Sequence, residues 1–414
     1  MSFDDPKAEE LYRIKVSRLI KAIRKEKPDR VPVVLPLGLS FPAYYCGYNL
    51  RDIMYDYRLL EQCWIKVAQD FEMDVFGPPA LVHPARFWEI LGNKQWTWPG
   101  RGLPEDAETY QFVEGEYMYD NEYAELLRDP SDFLLRKLLP RTCEKLVAFS
   151  SLSPLRWYLF NPALLVSNFS QDEVQKALEL FLEAAREWQT WASAVSRIAS
   201  RLLEMGIPRL WEVIAMAPFD FLGDTLRGTK GIMLDMYRRP KQLLEALEWL
   251  LELISNMVIE QAKNSISPVV FIPLHKGAHP FMSSSQFETF YWPTLKRLIL
   301  NLINEGLVPW VFAEGDYNPR LQIISDLPYG SVVWHFETVD MKLAKQTVGK
   351  NCCIAGNLSP LLFMTGSPDT VKEAAVRLLK LFADEGGFIL AAAASVNKAK
   401  PENIRALFQV VSEL

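Results

Sequence analysis

The second half of the chain alternates short apolar runs with segments whose apolar residues follow helical spacing. The apolar runs cover 268–275, 308–315, 331–337, 352–359 and 387–395, and a helical pattern follows each of them. The runs are continuously apolar rather than alternating, which is typical of strands that are covered on both faces, as in parallel sheets. The pattern therefore predicts five consecutive strand–helix units.

The first half of the chain contains three further candidate strands, at 30–38, 74–82 and 209–216. Eight strands with interleaved helices, preceded by an N-terminal helix, predict a single (β/α)8 barrel, an α/β fold that takes up the whole chain, 1–414. An open, doubly wound sheet is the alternative. It is disfavoured because no Gly-x-Gly-x-x-Gly sequence or phosphate loop follows any of these strands.

One long segment, at about 84–205, interrupts this rhythm after the second predicted strand. It is too long for one crossover, and it contains a predicted hairpin at 94–118 and a long amphipathic helix at 171–206. We expect this insertion to lie over one end of the barrel. It could act as a lid that keeps water from a site, or it could only cover apolar surface or form a dimer contact.

The composition narrows the class of protein. The net charge of −6 gives no reason to expect a nucleic-acid partner. The five cysteines show no Cys-x-x-Cys spacing, which argues against a disulfide framework. The N-terminus carries no apolar signal sequence and no apolar run is long enough to cross a membrane, so we expect a cytoplasmic protein. Twelve tryptophans and 23 phenylalanines indicate either extensive aromatic packing or an aromatic-lined pocket.

Polar residues follow the apolar runs where the strands are expected to end. In a (β/α)8 barrel the carboxyl ends of the strands share one mouth, and catalytic residues lie there. The candidate site residues are His275 and Lys276 after the fourth strand, Glu314, Asp316, Tyr317 and Asn318 after the fifth, His335 and Glu337 after the sixth, Asn357 after the seventh, and Glu212 on the third. Asp340 is expected to cap the following helix, and His83 is expected to be structural.

Two histidines and a glutamate, His275, Glu314 and His335, lie on three consecutive predicted strands and could converge. Imidazole nitrogen and carboxylate oxygen are ligands for Zn²⁺, which would polarise a substrate at an open coordination position. The same residues could instead form a metal-free acid/base pair. The residue types alone leave both kinds of site open.

Four segments of the chain carry motifs in a recognisable order: 27–33 before the first strand, 217–243 after the third, 354–371 at the seventh, and 386–407 at the end. These motifs resemble those of the uroporphyrinogen decarboxylase superfamily. The resemblance implies a single (β/α)8 barrel. The superfamily contains decarboxylases of tetrapyrroles and methyltransferases that move methyl groups to or from a corrinoid cofactor.

The chain departs from the decarboxylase branch. That branch carries arginines after the first strand, an aspartate after the second and a histidine near the last. The matching stretches of this chain, at 35–50, 75–82 and 391–403, contain none of these residues. A substrate with many carboxylates needs cationic partners, so decarboxylation of uroporphyrinogen is not expected.

The methyltransferase branch fits better. The His-x-Cys zinc ligands of its thiol-methylating members are absent from 312–315, but Glu314 and His335 resemble the zinc site of members that demethylate methoxylated or methylated substrates. The resemblance implies a zinc-assisted methyltransferase that transfers a methyl group between a small methoxy or methylamine-type substrate and a corrinoid on a partner protein. Glu314, His335 and Glu337 would be catalytic. Glu314 and His335 would bind zinc, with His275 or Glu337 as the third ligand, and the other candidates would bind substrate or cofactor.

Two other functions stay open. A metal-free decarboxylase or lyase could act on a small acid or a tetrapyrrole, with Lys276 and Arg320 holding one carboxylate. A non-enzymatic relative could hold a corrinoid or tetrapyrrole without turnover. None of the three readings requires a nucleic acid or a membrane, and each is compatible with a homodimer.

Overall fold

A computed structural model describes residues 3–37, 39–382 and 386–413 of the chain. Residues 38, 383–385 and 414, which belong to the predicted first strand and the last two predicted helices, lie outside the described residues. No helix within the described part of the chain is long and apolar enough to cross a membrane.

Seven parallel strands form the central sheet, in the order β1-β10-β9-β8-β7-β6-β5. The strands of the chain are β1 (Val33–Val34), β2 (Trp96–Pro99), β3 (Gly102–Leu103), β4 (Gln111–Phe112), β5 (Val213–Ile214), β6 (Val269–Leu274), β7 (Val308–Asp316), β8 (Val333–Thr338), β9 (Cys353–Leu358) and β10 (Phe388–Ala392). Crossovers through helices connect the strands of this curled sheet. The predicted α/β barrel is confirmed.

The second position of the barrel differs from the prediction. Instead of a full strand at 74–82, one parallel bridge joins Phe76 to Arg209. Pro78 and Pro79 follow, and proline cannot donate a hydrogen bond to a sheet. The chain turns into a 3-10 turn at Pro79–Leu81 instead. The second position of the barrel is therefore occupied by a nearly unpaired segment.

Helices surround the sheet, and they include short 3-10 and π-helical turns. The α-helices are α1 (Pro6–Ile23), α2 (Phe41–Tyr45), α3 (Leu50–Tyr55), α4 (Tyr57–Asp70), α5 (Ala85–Leu91), α6 (Tyr123–Arg128), α7 (Pro130–Phe133), α8 (Leu139–Thr142), α9 (Leu165–Asn168), α10 (Asp172–Glu204), α11 (Pro218–Leu222), α12 (Gly228–Arg238), α13 (Pro240–Ala262), α14 (Ser284–Gln286), α15 (Trp292–Asn304), α16 (Met341–Gln346), α17 (Pro360–Met364), α18 (Pro368–Phe382) and α19 (Pro401–Glu413). The 3-10 turns are Pro79–Leu81, Glu144–Ser151, Leu155–Tyr158, Pro162–Leu164, Asn318–Arg320, Ile323–Ser325 and Val348–Lys350, and the π-helical turns are Leu134–Leu138, Gly223–Arg227 and Phe287–Tyr291. The helix predicted at 319–327 is wrong, because two separate 3-10 turns take its place.

The insertion has the two predicted features. Strand β2 pairs with β4 in antiparallel register, with Trp96 opposite Phe112, so the predicted hairpin is confirmed. The long amphipathic helix is α10, and its buried stripe packs against α4 and α5. The Trp191 indole on this stripe donates a hydrogen bond to the Val82 carbonyl at 2.8 Å, which ties the helix to the segment at the second barrel position. Apolar burial along this stripe keeps the insertion on the barrel.

An ion-pair network closes the N-terminal face of the barrel and gives a structural role to the first motif, 27–33. Arg30 donates two hydrogen bonds of 2.8 Å to the buried Asp74 carboxylate, which also accepts from Arg18 on α1. The Val33 backbone N–H of β1 donates to the same carboxylate at 2.8 Å. Asp74 thus links β1 to the second barrel position, where ladder hydrogen bonds are few. Several charged and backbone donors offset the cost of burying this carboxylate, so its hydrogen bonds stabilise the contact between these two segments.

Candidate active site

A cavity of ≈ 280 Å³ lies inside the barrel and opens toward the carboxyl ends of the strands. Aromatic side chains of three neighbouring strands line its inner wall. Trp211 and Phe271 stack with ring centroids 4.7 Å apart, and Phe312 lies 6.1 Å beyond Phe271. Glu314 and His335 also line the cavity, whereas no lysine or arginine is among its described lining residues. The cavity is therefore apolar, with one carboxyl group and one imidazole.

His335 is held as a neutral imidazole. Its Nε2 donates to the Ala392 carbonyl at 2.8 Å, and its Nδ1 accepts from the Trp310 indole at 3.3 Å. Burial lowers the pKa of His335 to about 4, and the hydrogen bond to the Ala392 carbonyl offsets this loss of water around the charged form only in part. Both ring nitrogens are thus engaged, and the ring forms part of the cavity wall against Phe312, with centroids 4.7 Å apart.

Glu314 is a carboxyl group that retains its proton more readily than usual. Burial raises the pKa of Glu314, the positive charge of His275 opposes this, and the nearby Glu337 carboxylate adds to it. The side chain lies where the register between β7 and β8 shifts, and the Gly315 N–H in this bulge donates to Glu337 at 2.6 Å. Gly315 adopts a φ of 83°, a backbone conformation that glycine adopts without strain. The bulge re-aims Glu314 relative to a regular strand.

A polar cluster lies beside Glu314 at the end of β6. The His275 ring Nδ1 is 2.6 Å from an Asp224 carboxylate oxygen. Although burial opposes the charged form, the hydrogen bond to Asp224 and the charges of Asp220 and Asp224 raise the pKa of His275 to about 9. His275 is therefore an imidazolium near neutral pH, and its positive charge faces Glu314.

Asp220 supports this cluster from below. It is fully buried and accepts hydrogen bonds from the His275 and Lys276 backbone N–H groups, at 2.9 and 3.0 Å, and from the Tyr291 hydroxyl at 2.6 Å. Burial raises the pKa of Asp220 to about 6, because the bonds that it accepts and the nearby His275 only partly offset the loss of water. Asp220 fixes the end of β6 and so the position of the His275 ring.

Lys276 links the cluster to the insertion. Its ammonium group lies 2.7 Å from Asp224, 2.6 Å from Glu114 and 3.0 Å from the Thr229 hydroxyl. Glu114 belongs to the insertion, just after β4, and also accepts from the Thr229 backbone N–H at 3.0 Å. The Lys276 side chain is buried and fully engaged, so in this arrangement it holds the insertion to the site rather than presenting its charge to a substrate.

Three other candidates, Asp316, Asn318 and Asn357, shape the loops around the mouth together with the helix cap Asp340. Asp316 accepts from the Asn318 backbone and side chain at 2.9 and 2.8 Å, and the Asn318 side-chain oxygen Oδ1 accepts from the Asp340 N–H at 2.8 Å. Asp340 caps α16, as predicted. Asn357 donates to the Val339 carbonyl at 3.2 Å. These side chains fix the loops that follow β7, β8 and β9.

Tyr317 is buried beside Tyr291, behind the cluster rather than in the cavity. A Cβ at Gly277 would lie 2.4 Å from the Tyr317 hydroxyl, so glycine at 277 is what admits this ring. Glu212 lies at the opposite end of the barrel, where it pairs with Arg209 and accepts from the Ser265 hydroxyl at 2.8 Å. The structure brings His275, Glu314, Glu337 and His335 to one mouth and leaves Glu212 outside it.

The residues expected to bind zinc do not fit a metal site in this arrangement. Glu314 and His335 line the same cavity, but the described residues contain no group of three or more His, Cys, Asp and Glu side chains that could hold a metal ion. Both nitrogens of His335 already have partners, and Nδ1 of His275 is bonded to Asp224.

Asp220 and Asp224 belong to the site but were not among the candidates predicted from the sequence. They stand four residues apart in the second motif, across α11 and the π-helical turn that follows it, so both face β6. Two carboxylates at this spacing within an otherwise apolar segment, 217–224, were the available signal. Glu114 carried no such signal, because its contact with Lys276 spans 162 positions of the chain.

Comparisons with known proteins agree with the fold and the motifs. The family model described as uroporphyrinogen decarboxylase (URO-D) matches residues 163–414, more than half of the chain. A solved methyltransferase from Methanosarcina mazei is similar in structure, with a TM-score of 0.61 and 17% sequence identity, over 97% of this chain and 98% of that chain. At this identity the likeness shows the fold alone. No curated protein sequence matches the chain. By the family model, the chain belongs to the uroporphyrinogen decarboxylase family.

Proposed function

We propose that the protein is a methyltransferase that takes a methyl group from a small O- or N-methylated substrate and passes it to a corrinoid on a partner protein. One observation carries the proposal. Glu314 is the carboxyl group that lines the apolar cavity, and its pKa is raised, so it can hold a proton next to a bound substrate. A methyl group that leaves an uncharged oxygen or nitrogen leaves a negative charge on that atom, and a proton donor placed there stabilises it.

The lining of the cavity favours the binding of a substrate without an anionic group. Its volume of ≈ 280 Å³ suits a small molecule, and its wall offers Trp211, Phe271 and Phe312 for aromatic contact. An anionic group placed there would lose its hydration without gaining a cationic partner, since no lysine or arginine is among the described lining residues. A neutral methoxyaromatic compound or a small alcohol avoids this cost, and a methylamine avoids it in its uncharged form.

The chemistry follows from the charges around Glu314. A reduced corrinoid on the partner protein would supply the nucleophile that accepts the methyl group. As the methyl carbon leaves, the electron pair of its bond stays on the substrate oxygen or nitrogen, and Glu314 donates its proton to that atom. The carboxylate left on Glu314 is stabilised by the His275 imidazolium, which is held by Asp224. His335 contributes shape, because both of its ring nitrogens are already bonded.

The rival decarboxylase function lacks a supporting observation. Lys276 is engaged by Asp224 and Glu114. Arg320 is buried and donates to the Met282 carbonyl at 2.5 Å and to the Ser284 hydroxyl at 2.9 Å. Both cations expected to hold a substrate carboxylate are therefore occupied within the fold.

The direct test uses chemically reduced free cobalamin as the methyl acceptor, so that no partner protein is needed. Methanol, methylamine, 2-methoxyphenol and 4-methoxybenzoate would each be incubated with the protein, and methylcobalamin would be followed by absorbance. We expect turnover of at least one uncharged or amine substrate, and at least about 10-fold slower turnover of 4-methoxybenzoate because of its carboxylate. The absence of methylcobalamin with every compound would reject the proposed function, and a preference for 4-methoxybenzoate would reject the description of the cavity.

A further inference from the structure

One buried side chain in the wall of the cavity has a hydrogen-bond donor without a partner. The Trp64 indole lines the cavity and is 2% exposed, and its N–H has no acceptor among the described residues. Two other buried donors of the wall are engaged, since the Trp310 indole donates to His335 and His335 donates to the Ala392 carbonyl. A buried N–H without a partner is rare in folded proteins, because it has given up its bond to water.

Trp64 reaches the cavity from outside the sheet. It lies on α4, and it is the one residue of this helix among the described residues that line the cavity. In a complete (β/α)8 barrel the ring of strands separates the outer helices from the interior. Here the second barrel position is held by the bridge between Phe76 and Arg209, and the Trp64 ring packs beside Phe76 with centroids 5.9 Å apart. The nearly unpaired segment thus leaves room for a helix side chain in the cavity wall.

Trp64 and Glu314 lie across the cavity from each other. Glu314 belongs to β7, and β6 and β5 separate β7 from the segment of Phe76 that Trp64 contacts. In the other direction around the barrel, β8, β9, β10 and β1 lie between them. A molecule that fills this cavity of ≈ 280 Å³ therefore has the Glu314 carboxyl group on one side and the Trp64 indole on the other.

We propose, on the basis of the methyl transfer proposed above, that the Trp64 N–H selects the substrate by donating a hydrogen bond to a second oxygen of an uncharged, single-ring methoxy compound. The methoxy oxygen of this compound lies at Glu314. An indole N–H only donates, so its partner must be an acceptor such as a hydroxyl, carbonyl or ether oxygen. Methanol and methylamine have one polar atom each, which Glu314 engages, and they leave the Trp64 N–H unpaired.

The hydrogen bond makes the site discriminate between molecules of the same shape. A ligand that fills the cavity excludes water, so a ligand without an acceptor leaves the buried N–H of Trp64 unpaired. A hydroxyl group and a methyl group are of similar size, and an apolar wall alone would favour the methyl group. A preference for the compound with the hydroxyl group therefore reports the hydrogen bond rather than the fit of the ring.

Isothermal titration calorimetry with matched pairs of compounds tests the proposal without a corrinoid. The probes are 2-, 3- and 4-methoxyphenol, each paired with the methoxytoluene that has a methyl group in place of the hydroxyl group. For at least one pair we expect the wild-type chain to bind the phenol at least about 10-fold more tightly. Trp64→Phe removes the N–H but keeps an aromatic ring, and it should reduce this ratio to about threefold or less. Trp310→Phe is the matched control and should keep the ratio, because the N–H that it removes is already bonded to His335.

NMR of the indole N–H groups gives a second measurement. The Trp64 resonance is the one that is absent from the spectrum of Trp64→Phe. In the wild type it should move downfield when the preferred phenol binds, and it should not do so with the matching methoxytoluene. The comparison of each pair in the wild type, and the shift of one indole resonance with the phenol alone, do not depend on the folding of the variant.

The outcomes separate the role of Trp64 from the proposed methyl transfer. A wild-type chain that binds every methoxytoluene as tightly as its phenol overturns the role of Trp64, as does a folded Trp64→Phe variant that keeps the wild-type ratio. Formation of methylcobalamin without a preference within the pairs would reject the role of Trp64 alone. A preference for the phenol that is lost in Trp64→Phe, without formation of methylcobalamin, would support the hydrogen bond and reject the methyl transfer.

Discussion

Replacing Glu314 by glutamine tests the proposed proton donor with little change in shape. The amide has nearly the same size as the carboxyl group, so the cavity and the binding of an uncharged substrate should be preserved. The amide cannot donate a proton as a carboxylic acid does. Since a positioned general acid contributes about 100- to 10,000-fold to a rate, we expect Glu314→Gln to lower kcat by about that factor and to leave KM within about threefold of the wild type.

The pH dependence makes this prediction sharper. A donor acts only while it is protonated, so the wild-type rate should fall as pH rises through the raised pKa of Glu314. The residual rate of Glu314→Gln should lack this fall. Glu337→Gln is the matched control, because its amide oxygen can still accept from the Gly315 N–H. The loss of the Glu337 charge should lower the pKa of Glu314, so the fall in rate should move to lower pH while the rate on the acidic side is retained.

The assay is the initial rate of methylcobalamin formation at saturating substrate, measured from about pH 5 to about pH 9 for the wild type and both variants. Unfolding curves would show that the variants are folded at each pH. A Glu314→Gln variant with more than about a third of the wild-type kcat would refute the role of Glu314 as the acid. The same holds if the variant is slow but keeps the wild-type pH profile, because another group would then donate the proton.

Two further predictions concern the charges around the site and in the insertion. Glu114→Gln removes a negative charge beside Lys276 and should lower the pKa of His275, whereas Lys276→Gln removes a positive charge and should raise that pKa. NMR titration of the histidine rings measures both shifts. Two shifts of the same sign would contradict the chain of ion pairs from Glu114 through Lys276 and Asp224 to His275. Burial lowers the pKa of His83 and His335 to about 4. Below about pH 6.5 the unfolded chain therefore binds more protons than the folded chain, so the free energy of unfolding should fall on acidification. The loss should reach up to about 3 kcal/mol per histidine near pH 4. Urea unfolding of His83→Phe, whose ring would sit among the same aromatic neighbours, should show a smaller loss between pH 7 and pH 5, and an unchanged loss would contradict burial of His83 as its cause.

The strands of the second half could be predicted closely because their physical signal is strong. A continuous apolar run that is buried on both faces has one stable arrangement, a central parallel strand, and the predicted 268–275 and 331–337 correspond to β6 and β8. The prediction of a strand at the second barrel position was wrong for an equally local reason. The run 74–82 is apolar, but Pro78 and Pro79 cannot take part in a ladder, and an apolar pattern does not register this loss of donors.

The candidate site was predictable only in part, because the sequence pattern predicts where strands end but not which groups each side chain bonds. The strand pattern placed His275, Glu314 and His335 at one mouth. It did not show that the Ala392 carbonyl, 57 positions away, holds one nitrogen of His335. That contact depends on the neighbour relation of β8, β9 and β10, which follows only from the strand order of the sheet. The same pattern could not tell which end of its strand Glu212 faces.

Buried carboxylates at the two ends of the barrel have different surroundings, which give Asp74 a structural role and Glu314 a proposed chemical one. At the N-terminal face the Asp74 carboxylate accepts hydrogen bonds from two arginines and a backbone N–H, and these bonds tie α1 and β1 to the second barrel position. At the mouth the carboxylates of Asp220 and Glu314 outnumber the cations that reach them, and their pKa values are raised. A group whose two protonation states are close in free energy is the kind that can exchange a proton with a substrate. Burial first, and the neighbouring carboxylates second, raise the pKa of Glu314 at the cavity wall, and this is why we assign proton donation to this end of the barrel.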